Sequence, residues 1–79
     1  MHVYILQSMQ DNNRYYVGKT SKDPWARLEE HNRGKSIHTN KYKPWKIITF
    51  VYFSSSIKAI QFERYLKSGS GRAFCKRHF

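Results

Sequence analysis

Five side chains in this sequence have types and positions that could do chemistry: Tyr4, Tyr16, Arg27, His31 and Glu63. The two tyrosines lie in strand-like segments, His2-Val3-Tyr4-Ile5-Leu6 and Arg14-Tyr15-Tyr16-Val17-Gly18, separated by the polar turn-former cluster Met9–Asn13. That separation is of hairpin length. In an even pairing register Tyr4 faces Tyr16, and Gly18 on the same face leaves a gap where a backbone or a phosphate could approach. Taken alone, the tyrosines read first as an aromatic cross-strand pair that stabilises a sheet. Arg27 and His31 are four residues apart and flank Leu28, so on a helix they share one face at the edge of the buried stripe. Glu63 has Ala59, Ile60, Leu66 and Lys67 as its helical neighbours, three of them apolar. A carboxylate there is costly unless it is paired or holds a metal. An ion pair with Lys67 or Arg27 explains it as well as a metal site does.

The remaining acids narrow the chemistry. Asp11 belongs to the hairpin turn, Asp23 to a helix cap, and Glu29 and Glu30 to the outer side of a basic helix. A two-metal nuclease needs several convergent carboxylates, and this chain does not supply them. Phosphodiester cleavage would proceed with one metal or none, with tyrosine, arginine, histidine and lysine doing the rest.

The elements that position these groups follow from local signals. Strands are expected at His2–Ser8 and Tyr15–Lys19. Asp23 as N-cap and Pro24 at the first position start a helix over Pro24–Arg33, and Gly34 stops it. Its apolar stripe is Trp25, Ala26 and Leu28. Residues 34–45 read as a long structureless connection of the kind that is often functional. It carries Lys35, His38, Thr39, Lys41, Tyr42 and Lys43 and no acid, a mixture suited to phosphate contacts and base stacking. The run Ile47–Phe53 is β-branched and aromatic throughout and reads as the central, most buried strand. Ser54–Ser56 open a second helix that Gly69 ends. Arg72–Phe79 reads as a short terminal helix with Phe74 docked and Arg72 and Lys76 exposed. Gly18, Lys35, His38, Thr39, Lys41, Lys43, Arg72 and Lys76 are thus the expected nucleic-acid contacts.

Bulk properties agree. With 79 residues the chain reads as one domain, residues 1–79, and 15 Lys+Arg against 5 Asp+Glu give a net charge of +10. Such charge on a small body repels itself, and a polyanion relieves the cost. An amphipathic basic helix suited to a membrane is missing. One cysteine, Cys75, excludes an internal disulfide, and the histidines show no zinc-ligand spacing. Met1 runs straight into a strand pattern, leaving no room for a signal peptide. The expectation is a soluble, cytoplasmic monomer or weak dimer.

In order along the chain, Tyr4, Tyr16-x-Gly18, Arg27-x-x-x-His31 and Glu63 resemble the signature of the GIY-YIG nuclease superfamily, in its small stand-alone group. His2 stands at the first glycine of that signature and Val17 at its isoleucine, and residues 72–75 lack the late asparagine of many members. The resemblance implies an α/β (α+β) domain: a three-stranded antiparallel sheet flanked by helices in the order β-β-α-β-α-α. It implies a metal-dependent DNA endonuclease, suited to DNA repair, acting on duplex or branched DNA, with RNA as a further possible substrate. Tyr4 or Tyr16 would activate water with Lys19 or Arg27 favouring the phenolate, and His31 is the rival base. Arg27 would stabilise phosphoryl charge, and Glu63 would hold one Mg²⁺ or Mn²⁺. The alternative is a non-catalytic nucleic-acid-binding module on the same scaffold.

Overall fold

The computed structural model describes residues 1–79. Three strands, β1 (His2–Ser8), β2 (Tyr15–Thr20) and β3 (Trp45–Tyr52), form one antiparallel sheet in the order β2-β1-β3. Helices α1 (Pro24–Asn32), α2 (Ile37–Asn40), α3 (Ser56–Leu66) and α4 (Gly69–His78) complete the chain. The α+β architecture is the one the resemblance implies.

The central strand is β1, not β3. Val3, Tyr4, Ile5 and Leu6 are each 1% exposed or less, whereas β3 lies at an edge and leaves Phe50 and Tyr52 in solvent. The continuous apolar run of β3 has another cause. Ile47 and Ile48 face different cores by the ordinary alternation of a strand covered on both sides, and a bulge on β3 lies between the Ile5 and Leu6 pairings. Phe50 and Tyr52 pack their rings around His2, and Trp25 stacks edge-on against Phe50. Trp25 is itself exposed rather than part of the α1 stripe.

The sheet separates two apolar layers. Val3 and Ile5 pack against Ala59 and Leu66 of α3, with Phe62, Phe74 and Cys75 around them. Tyr4, Leu6 and Trp45 form the second layer with Tyr16 and Leu28 of α1. Alternation along β1 thus gives each helical layer its own set of side chains.

The caps follow the local signals, with one revision. The Asp23 side chain accepts from the Trp25 N–H, Ser55 accepts from that of Lys58, and Gly34 adopts φ 79° just past α1. Gly69 does not end the second helix. α3 stops at Leu66, Ser68 caps α4 through the Gly71 N–H, and Gly69 is the first residue of α4. A hydroxyl that can cap competes with glycine as punctuation, and here the cap wins.

Gly18 also departs from expectation. Tyr4 pairs with Gly18 and Leu6 with Tyr16, so the two tyrosines are diagonal neighbours on one face, with ring centroids 6.4 Å apart. The space above Gly18 holds the Tyr4 phenol and leaves no gap for a phosphate. A Cβ on Gly18 would lie 2.4 Å from the Tyr4 oxygen and 2.5 Å from its Cζ. Gly18 is buried, and its missing side chain makes room for Tyr4 rather than for a phosphate. Gly18→Ala is expected to destabilise the domain by about 1–3 kcal/mol through overpacking. Chemical denaturation checks this, and an unchanged midpoint would contradict it.

Candidate active site

Tyr4 and His31 form the buried half of the site. Register places Tyr4 on the inner face of the central strand, and α1 delivers His31 from one turn beyond Arg27. The Tyr4 hydroxyl and His31 Nε2 are 2.9 Å apart, and both residues are 1% exposed or less. Tyr16 stacks near the imidazole, ring centroids 5.0 Å apart. Burial, and after it the neighbouring Tyr16 phenol, push Tyr4 up to about 12, while the Arg27 guanidinium pulls the other way. Burial, then the positive charge of Arg27, hold His31 below the ordinary histidine value. Near neutral pH the pair is therefore a neutral phenol against a neutral imidazole. His31 is fully buried, with Tyr4 against its Nε2.

Thr39 completes this half. It was expected to touch nucleic acid, but it is fully buried, with its Oγ1 2.7 Å from His31 Nδ1. The reason is the short helix α2 inside the connection expected to be structureless. The Trp45 indole N–H donates to the Thr39 carbonyl at 2.8 Å, and Asn32 both donates to and accepts from the Trp45 backbone. The Ser8 hydroxyl holds the Tyr42 carbonyl at 2.6 Å. These bonds fold residues 34–45 back onto α1 and turn Thr39 inward, while His38 and Lys41 remain exposed. A buried threonine amid basic, polar neighbours carries no local signal.

The accessible half is charged. Glu63 is buried to 8% exposure on the sheet side of α3. Its Oε1 is 3.3 Å from Lys19 Nζ and its Oε2 3.5 Å from Lys67 Nζ. Of the two expected partners Lys67 is present, but Arg27 pairs with Glu30 at 3.5 Å instead. Lys19 and Arg27 line an open depression of about 380 Å³ with Thr20, Ser21 and Lys22. On the other side, Lys67, Arg72 and Lys76 line a groove of about 520 Å³ that Tyr16 also borders. Glu63 thus stands between two cationic surfaces, paired to a lysine of each. Lys35 is exposed and Lys43 half-buried, both on the α2 segment. Of the six expected site residues, Tyr4, Tyr16, His31 and Arg27 form one group and Lys19 and Glu63 another, with Lys19 and Arg27 lining one depression; of the expected nucleic-acid contacts, Gly18 and Thr39 turn inward.

The donor set fits a single divalent ion. One carboxylate is present, and Mg²⁺ typically takes one or two, filling its other positions with water and phosphate oxygens. Nowhere do three His, Cys, Asp or Glu side chains converge. Glu63→Gln is expected to leave both lysines free to re-solvate, since their side chains are 40% and 54% exposed. The change in stability should stay below about 1 kcal/mol. Thermal unfolding checks this, and a loss of about 3–5 kcal/mol would mark a buried ion pair instead.

The family model of the GIY-YIG catalytic domain matches residues 1–77. Among curated proteins, the structure-specific endonuclease subunit SLX1 of Kluyveromyces lactis is 43% identical over 67 residues, covering 76% of this chain and 23% of the relative. The Candida dubliniensis protein of the same name is 39% identical, covering 96% of this chain and 27% of the relative. The SLX1 homolog of Giardia intestinalis is 35% identical, covering 75% and 17%. The chain spans between 17% and 27% of the length of these relatives. The family match takes in every strand and helix except the last residue of α4, and this chain belongs to the GIY-YIG family, carrying its catalytic domain.

Proposed function

We propose that this domain hydrolyses DNA phosphodiester bonds, with Tyr4 and His31 acting as one proton-accepting pair. The carrying observation is the buried 2.9 Å contact between the Tyr4 hydroxyl and His31 Nε2. The Tyr4 oxygen meets His31 Nε2, and the Arg27 charge acts on the same phenol. An attacking water gives its proton to the Tyr4 oxygen as the phenolic proton passes to His31 Nε2. This needs no free phenolate, which burial disfavours. Tyr16, half-buried beside the groove, orients the water. Arg27 and Lys19 bind the scissile phosphate and stabilise the charge that grows on it.

Nucleases of this family generally depend on a divalent metal. Glu63 would hold it here, and when bound it would polarise the phosphoryl group and stabilise the leaving oxygen. Release of Lys19 and Lys67 from Glu63 would free two cations for phosphates at the same moment. The names of the relatives, structure-specific endonuclease subunits, favour branched DNA as the substrate. Lys35, His38, Lys41, Lys43, Arg72 and Lys76 are the side chains we assign to DNA outside the reacting centre.

The test is cleavage of supercoiled plasmid and of a branched duplex, with Mg²⁺, Mn²⁺ or chelator. Wild-type protein is expected to cut in either metal and not in chelator. Tyr4→Phe keeps the ring that packs over Gly18 and removes the proton path. Its rate should fall by about 10²–10⁴-fold, the usual span for general acid–base catalysis, with DNA affinity unchanged. Tight, salt-sensitive DNA binding without cleavage of any substrate would instead favour a non-catalytic binding module.

A further inference from the structure

We infer that the exposed rings of Trp25, Phe50 and Tyr52 form a stacking platform for unpaired bases of single-stranded DNA, with the phosphates of that strand held by the cationic depression next to it. The inference deepens the nuclease reading by naming what lies beside the reacting centre. The platform's role next to Tyr4 rests on that reading; the binding itself does not.

Register builds the platform. Phe50 is the direct partner of Tyr4 on β3, and Tyr52 is the partner of His2. Paired residues, and residues two apart on a strand, share a face, so all four stand on the α1 side of the sheet. Trp25, in the first turn of α1, sets its ring edge-on to that of Phe50, with centroids 6.3 Å apart. The His2 ring packs against Phe50 and Tyr52 at 5.8 and 5.2 Å. Even so, Trp25, Phe50 and Tyr52 remain 55%, 39% and 64% exposed. Single apolar side chains in solvent need no account, whereas adjoining ones mark a contact surface. Aromatic rings stack on the face of any base, whatever the sequence.

Charge selects the occupant. On β2 the partner of His2 is Thr20, which lines the open depression with Lys22 and Arg27. The rings and the depression therefore meet at His2, the rings on its β3 side and the cations on its β2 side. The nearby acids are engaged: Asp23 accepts from the Trp25 N–H, and Glu30 pairs with Arg27. A second copy of this chain would bring another net charge of +10 to the same face. An oligonucleotide brings flat rings and anionic phosphates together and matches both surfaces. A duplex keeps its bases stacked inside, so only an unpaired segment uses the platform. Phe50 stands one strand spacing from Tyr4, about 5 Å, so that segment lies beside the bond the domain is proposed to cut.

The experiment is a titration of the full chain in chelator, at fixed salt, with a short oligothymidylate and with an abasic chain of the same length and charge. The readouts are affinity and the fluorescence of Trp25, the exposed one of two tryptophans, Trp45 being buried. The oligothymidylate is expected to quench Trp25 and to bind about tenfold more tightly than the abasic chain. Trp25→Ala and Tyr52→Ala should each shrink that difference to about threefold or less, with affinity for the abasic chain unchanged, and Tyr52→Phe should keep it. Equal affinity for the two chains overturns the inference, as does an undiminished difference in both alanine variants. A dimer in sedimentation without DNA that Tyr52→Ala dissociates would make this face a contact between copies and also overturn it. If Trp25→Ala fails to fold, Tyr52→Ala and Tyr52→Phe decide. Base-dependent binding by a protein that cuts no DNA would uphold the platform and remove only the nuclease reading.

Discussion

A phenol and an imidazole, hydrogen-bonded at 2.9 Å and closed off from solvent, set the arrangement of this domain. The phenol end of Tyr4 lies over Gly18 because register pairs the two and a Cβ there would collide with it. His31 must come from a helix that crosses this face, which fixes where α1 packs. The unfilled Nδ1 then calls for a partner, and residues 34–45 fold back to provide Thr39. A buried polar group left unpaired is costly, so each member makes the next one necessary. The rings pack the layer, and under the proposed function the Tyr4 hydroxyl also carries the proton.

The charged half obeys a different constraint. A net charge of +10 on 79 residues stores repulsion. Lys19 and Lys67 relieve part of it locally on Glu63. These pairs are half in solvent and contribute little to stability. Under the proposed function they hold Lys19 and Lys67 ready: the two lysines would turn to phosphates when a cation takes the carboxylate.

Much of the site was legible because it depends on residue type and spacing. Two tyrosines with an adjacent glycine, a four-residue step from Arg27 to His31, and an acid on an apolar helix face each carry a local reason. The strand order was less legible. β3 reads as central because it is apolar throughout, yet its aromatics cover an edge together with His2 and Trp25. Central position depends on which strand has two partners, a non-local fact that β1 shows only by being apolar on both faces. Thr39 lay deeper still. Its burial follows from bonds made by Trp45 and Asn32, and nothing at position 39 itself distinguishes it from the exposed residues around it.

The central claim is that Tyr4 and His31 act as one unit, and a double-mutant cycle on the single-turnover rate of DNA cleavage tests it most directly. Tyr4→Phe, His31→Gln and the double variant are compared with wild type, with DNA affinity measured for each. The account predicts that the double variant is no slower than the slower single variant, since either change alone already breaks the proton path. Rate losses that multiply in the double variant would contradict it, and would show the two side chains acting independently.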